Sequence, residues 1–144
     1  MNLVTKLVYK RKKTKASIMK KIYTKMIYLA GADIPSDVIV GENVSFCHNC
    51  LGSVINNNTI IEDNVRIYQN VTIGVSNPYD GNCNFIIKKG ACLSAGAKII
   101  GKKELIVGEN TIIGANSVLL ESTGDNEIWV GIPAKKIKKE VKKK

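Results

Sequence analysis

At 144 residues, 44% of them hydrophobic, the chain has room for one domain with a modest core. Its net charge of +10 is segregated: residues 1–30 carry nine Lys or Arg and no acid, residues 31–134 six bases against eleven acids, and residues 135–144 seven lysines against one glutamate. An acidic middle between basic ends, with no recognised nucleic-acid motif, argues against a nucleic-acid-binding protein despite the positive total.

Residues 1–30 lack the uninterrupted apolar run of a secretory signal and are too polar to span a bilayer, so a cytoplasmic protein is expected. Ile18, Met19, Ile22, Tyr23, Met26 and Ile27 fall at helical spacing, with Lys15, Lys20, Lys21 and Lys25 between them. This predicts a basic amphipathic helix. It suits two settings: the anionic inner face of a membrane, as a peripheral contact, or the surface of a neighbouring subunit with the lysines left in water.

From Ile34 to Leu119 the chain repeats every six residues. Position one is Ile34, Val40, Ile55, Ile61, Ile67, Ile87, Leu93, Val107 and Ile113. Three residues after each stands Asp, Asn or Gly, from Asp37 and Asn43 through to Asn116, and four after stands a small or β-branched residue, from Val38 to Ser117. Asp, Asn and Gly tolerate a left-handed backbone, so a sharp corner recurs with the period. One such unit cannot bury a core, whereas three strands and three corners close a triangular coil, and stacked coils bury a continuous aliphatic column. Antiparallel hairpins also use Asn-rich turns, but they rarely hold so long a fixed phase.

The period breaks at three places, where a solenoid places projecting loops. Phe46 to Ile55 is nine residues and holds His48, the sole histidine; Ile73 to Ile87 is fourteen and contains a polar loop with Tyr79, Cys83 and Asn84; Ile99 to Val107 is eight and reads as a surface turn. An imidazole titrates near neutrality and can take a proton from an attacking hydroxyl, best when a carboxylate holds its tautomer. Cys47, Cys50, Cys83 and Cys92 are expected as free thiols. The Cys47-x₂-Cys50 spacing suits zinc, yet further ligands are far away in the chain, and no metal is expected.

Hexads such as Val40-Gly-Glu-Asn-Val44, Ile61-Glu-Asp-Asn-Val65 and Ile113-Gly-Ala-Asn-Ser117 resemble those of the hexapeptide-repeat acyltransferases, and Gly131-Ile-Pro-Ala-Lys-Lys-Ile137 resembles that family's closing tail. The resemblance implies an all-β fold, a left-handed parallel β-helix over residues 31–134, with a short N-terminal helix in residues 1–30 and a Lys-rich tail at 135–144. That hand comes from the family, since parallel crossovers are otherwise right-handed. It also implies a homotrimer that uses acetyl-CoA. Asp33-Ile34-Pro35, with His48 fifteen residues after the Asp, resembles the serine acetyltransferase pattern, and Val65–Gly74 matches the run that follows the histidine. The resemblance makes His48 the general base and Asp33 the residue that orients it. It gives Ala95, Gly96, Ala115, Pro133, Ala134 and Lys135 to the cofactor groove.

Two departures bear on the acceptor. Cys47 stands where that family carries Asp, and its Arg-His pair aligns with Cys83-Asn84, so Cys47, Tyr79, Cys83 and Asn84 are the expected substrate contacts. With no basic residue between Arg66 and Lys88, an amino-acid carboxylate lacks a local partner. The reading drawn from this is acetyl transfer to a sugar hydroxyl in capsule or exopolysaccharide assembly. The alternatives are a serine O-acetyltransferase of cysteine biosynthesis and a non-catalytic scaffold.

Overall fold

The computed structural model describes residues 1–77, 79 and 83–137. Two helices open the chain, α1 (Leu3–Lys13) and α2 (Ser17–Leu29), and a parallel β-helix follows. Its first face stacks β1 (Ile39–Val40), β4 (Thr59–Ile61), β7 (Asn84–Ile87) and β10 (Glu104–Val107). The second stacks β2 (Ser45–Phe46), β5 (Arg66–Ile67), β8 (Cys92–Leu93), β11 (Ile112–Ile113) and β13 (Ile128–Gly131); β14 (Ala134–Ile137) adds to it antiparallel. The third stacks β3 (Val54–Ile55), β6 (Thr72–Val75), β9 (Lys98–Gly101) and β12 (Val118–Leu119).

The register turns the six-residue pattern into columns. Val40, Ile61, Ile87 and Val107 lie over one another on the first face. Phe46, Ile67, Leu93, Ile113 and Trp129 do so on the second, and Ile55, Ile73, Ile99 and Leu119 on the third. Every position-one residue from Ile34 to Ile113 is buried, as is every residue four positions later from Val38 to Ser117. Each buried aliphatic side chain contributes roughly 1.5–3 kcal/mol of transfer free energy, so the column is the main source of stability. The predicted corners are left-handed at Asn43, Asn64, Asn70, Gly90, Gly96, Asn110 and Asn116. Asp37 and Asn58 are not: at the latter the turn is closed by local bonds, with the Asn58 amide donating to Asn56 Oδ1 at 2.9 Å and Thr59 Oγ1 to the Asn56 carbonyl at 2.6 Å.

A stacked coil has two open ends. Helix α1 closes the first by burying Val4, Leu7 and Val8 in the core. Arg11 is buried beside it, donating to the Ile34 carbonyl at 2.6 Å and to Thr24 Oγ1 at 3.1 Å. At the other end Trp129 and Ala134 cover the last coil. The helical spacing seen in the sequence belongs to α2, while α1 carries its own apolar face. Of the apolar residues predicted for α2, Ile27 is buried, and Ile18, Ile22 and Met26 are exposed. Among the described residues no helix is long and apolar enough to cross a membrane. The third break is a surface turn between β9 and β10, as expected.

Candidate active site

The nine-residue break folds as a tight loop over Cys47–Cys50, in which His48, Asn49 and Cys50 have φ of 52°, 56° and 46°. Three consecutive side-chain-bearing residues in the left-handed region are costly, and the surrounding bonds hold them there. Asn49 Oδ1 accepts the Val4 amide of α1 at 3.2 Å, and the Leu51 amide donates to the His48 carbonyl at 3.3 Å. Cys50 turns inward, with Sγ 3.4 Å from the Ile67 carbonyl. The consequence is that His48 projects outward, exposed, with its ring 6.1 Å from that of Tyr68 on the next coil.

That loop begins a column of corners between the second and third faces. The Asn70 amide donates to the Leu51 carbonyl at 2.8 Å, the Gly96 amide to Gln69 at 2.9 Å, and the Asn116 amide to Ala95 at 2.9 Å. Above them the Gly131 amide donates to Ser117 Oγ at 3.0 Å. His48, Ala95, Gly96 and Ala115 therefore lie along one ridge, and the turn leading to Pro133, Ala134 and Lys135 caps it. Parallel strands stack about 4.8 Å apart, so Ala95 is two steps, about 10 Å, from the histidine corner. On the two coils above Tyr68 and Gln69 the ridge carries Ser94, Ala95, Gly96, Gly114 and Ala115, small residues that leave the backbone open to a thin chain. Gln69 Oε1 is buried without a hydrogen-bond partner, an acceptor that suits an amide N–H of a pantetheine arm.

Asp33 stands where the first turn of chain meets β3. Its amide donates to the Ser53 carbonyl and its carbonyl accepts from the Ile55 amide, both at 2.9 Å. Asp33 is exposed and lines two cavities of about 330 and 440 Å³. One is walled by Gly52, Ser53 and Val54, the other by Lys20, Lys21 and Lys25 of α2, and Tyr28 borders both. The fold thus sets Asp33 beside the start of β3, just after the loop that holds His48, and among the described residues the carboxylate makes no hydrogen bond to the imidazole.

The remaining expected contacts are dispersed. Cys47 is half-buried on the second face, with Sγ 3.7 Å from Ser45 Oγ. Tyr79 is 94% exposed, in a loop whose Pro78, Asp80, Gly81 and Asn82 lie outside the described residues. Asn84 opens β7, across the third face from the His48 corner. Cys83 corrects the expectation of a substrate contact: it is fully buried under Gly101, packed so closely that an added Cβ there would lie 2.6 Å from its sulfur. Ala134 is buried as well, and Lys135 reaches Glu121 at 3.5 Å. Burial pushes the Cys50 thiol up to about 12, which keeps it protonated and unsuited to carry an acyl group at neutral pH. No group of three or more His, Cys, Asp or Glu side chains placed to hold a metal occurs among the described residues.

Two outward residues of the neighbouring coil were not singled out in the sequence. Tyr68 and Arg66 belong to the next coil, and no spacing within one hexad links them to His48. Arg66 pairs in register with Ser45 below and Cys92 above. Burial raises the Cys92 thiol, while nearby Arg66 draws it back down.

No family profile matches the chain. It is 35% identical over 131 residues to the serine acetyltransferase of Buchnera aphidicola, covering 90% of this chain and 48% of that protein. Against the serine acetyltransferase of Staphylococcus epidermidis it is 32% identical over 139 residues, covering 96% of this chain and 63% of that one. The serine acetyltransferase of Brucella abortus in complex with coenzyme A superposes with a TM-score of 0.72 and 28% identity, over 90% of this chain and 50% of its own. The chain spans about half the length of the relatives it matches. These likenesses overturn the sugar reading. That reading rested on a missing cation within one loop, and stacking supplies neighbours from a whole coil away, as Arg66 does beside Ser45. The fold is the left-handed parallel β-helix, and the chain belongs to the hexapeptide-repeat acyltransferases, on their serine acetyltransferase-like side.

Proposed function

We propose that the chain is an acetyl-CoA-dependent O-acetyltransferase whose acceptor is the hydroxyl of serine, the step that commits serine to cysteine biosynthesis. The observation that carries this is the single ridge shared by His48, Ala95, Gly96 and Ala115, with Asp33 at its foot. Serine acetyltransferases among its relatives, and one neighbour solved with coenzyme A, support both the donor and the acceptor.

Acetyl-CoA supplies the acyl group. The exposed His48 imidazole takes the proton of the serine hydroxyl as its oxygen attacks the thioester carbonyl. Asp33 steadies the imidazolium that forms, once the ternary complex draws the two side chains together. The tetrahedral intermediate collapses with cleavage of the C–S bond, and the imidazolium returns its proton to the departing CoA sulfur. Ala95, Gly96 and Ala115 keep the groove thin, Gln69 Oε1 accepts from the pantetheine, and the Pro133–Lys135 tail places a cation near the cofactor phosphates. Cys47, Asn84 and the exposed Tyr79 remain candidate acceptor contacts.

The assembly we propose is a homotrimer, because a ridge on one convex corner needs a second wall to enclose a cofactor. The exposed apolar stripe of α2, flanked by Lys20, Lys21 and Lys25, is suited to a subunit contact or to a peripheral place on an anionic cytoplasmic membrane face. The test is to incubate the full chain with acetyl-CoA and L-serine and measure O-acetylserine by mass spectrometry. Serine-dependent loss of the thioester is expected; none under saturating substrates overturns the reading.

A further inference from the structure

We propose that Arg66 is the residue that holds the acceptor's carboxylate. This rests on the serine reading above and extends it to the recognition of the amino acid. A serine whose hydroxyl meets His48 must place its carboxylate within one small molecule's length of that ring, and a buried or partly enclosed carboxylate needs a cation. Arg66 is exposed on the outer surface of the second face, since its neighbours Val65 and Ile67 point inward and are fully buried. Tyr68 shares that outer surface, two residues or about 6.6 Å further along the strand, and its ring is the one nearest His48 in the aromatic geometry, at 6.1 Å. In register Arg66 lies on the strand between Ser45, three residues before His48, and Cys92 on the coil above. Cys47, the residue before His48, follows Ser45 on the same outer surface and is half-buried there.

The cation is also uncommitted. Lys12, Lys135 and Lys136 are each ion-paired, whereas no carboxylate pairs with Arg66 among the described residues. An unpaired guanidinium offers two parallel N–H donors to a carboxylate, a geometry that lysine cannot match. Arg66 thus takes the place of the cation missing from the loop before Cys83, reached through the coil stack and not through the loop.

The test compares L-serine with L-serinamide, which keeps the hydroxyl and loses the carboxylate, using the full chain and its Arg66→Ala and Arg66→Lys variants. For Arg66→Ala we expect kcat/KM for serine to fall about ten- to a hundredfold, mainly through KM, with serinamide turnover unchanged and Arg66→Lys recovering part of the loss. Serine and serinamide falling together, or neither falling, overturns the assignment. A loss found in Lys25→Ala in place of Arg66→Ala overturns it too, moving the carboxylate to the cavity beside α2. A wild-type chain that acetylates serinamide but not serine, or neither, defeats the acceptor reading itself, which distinguishes that failure from the failure of Arg66.

Discussion

The hydroxyl of Tyr9 accepts the amide of Val44 at 2.8 Å and donates to the carbonyl of Gly41 at 3.0 Å. A helix side chain thereby satisfies two backbone groups of the first coil, which has no coil below it to do so. The expected consequence is that Tyr9→Phe lowers stability by about 1–3 kcal/mol, because the Val44 amide loses its partner and the Gly41 carbonyl keeps only Lys12 Nζ at 3.4 Å, while the ring still fills its place. Urea unfolding followed by circular dichroism measures this. An unchanged midpoint would mean that water replaces the hydroxyl at no cost and that the cap acts through Val4, Leu7 and Val8 alone.

Gly96 occupies the ridge at φ 74°, with Asn116 of the next coil pressed against the position a Cβ would take. Gly96→Ala meets both a strained backbone and an occupied space, so a loss of more than about 1 kcal/mol is expected. The KM for acetyl-CoA should rise with it, since the change narrows the ridge beside Ala95. Thermal melting together with saturation kinetics separates the two effects. A variant as stable as the parent, with the same KM, would contradict this account of the ridge.

His48→Ala removes the group proposed to accept the hydroxyl proton. A fall in kcat of at least about a hundredfold is expected, with melting temperature little altered, because the ring is exposed. Activity near that of the parent would dismiss the imidazole as the base.

Glu127 ties the last coil to the tail. Its carboxylate accepts from Lys136 Nζ at 2.6 Å, from Trp129 Nε1 at 2.8 Å and from the Gly124 amide at 2.8 Å. The hydrogen bond from Lys136 is the chief reason its pKa lies below the ordinary carboxylate value, with the Trp129 and Gly124 bonds adding to it against the opposing effect of burial. A depressed folded-state pKa means that this stabilisation is present above the ordinary carboxylate value and is lost as the pH falls through the lowered one. Trp129 is the sole tryptophan, so its fluorescence reports the change directly. An acid transition in fluorescence is expected for the parent and should be absent in Glu127→Gln; persistence in the variant would assign it elsewhere.

How much of this was legible beforehand follows from the range of each interaction. The core was, because position one and its small partner recur at fixed spacing, and burial obeys that spacing from Ile34 to Ser117. The loop position of His48 was legible because the period breaks around it, while Asp33 was a candidate through the resemblance alone. Tyr68 and Arg66 were not, because their nearness to the His48 loop depends on the register between coils, which no run of consecutive residues encodes. Cys83 misled for a related reason: a polar loop surrounds it in the chain, yet the strand it precedes carries it inward beneath Gly101. Helix α1 escaped notice because its lysines and Arg11 mask a short apolar face that becomes evident only against Phe46 and Asn49.

The ridge from His48 to the Lys135 turn is assembled from whole coils, and this makes it a ruler with fixed graduations. Each coil adds about 4.8 Å and no fraction of it. Point substitutions along the ridge can roughen it or narrow it, but its length changes only when a complete turn of chain is gained or lost. The distance between the His48 corner and the Lys135 turn is therefore set by a count, and a loop inserted between strands would leave that count untouched.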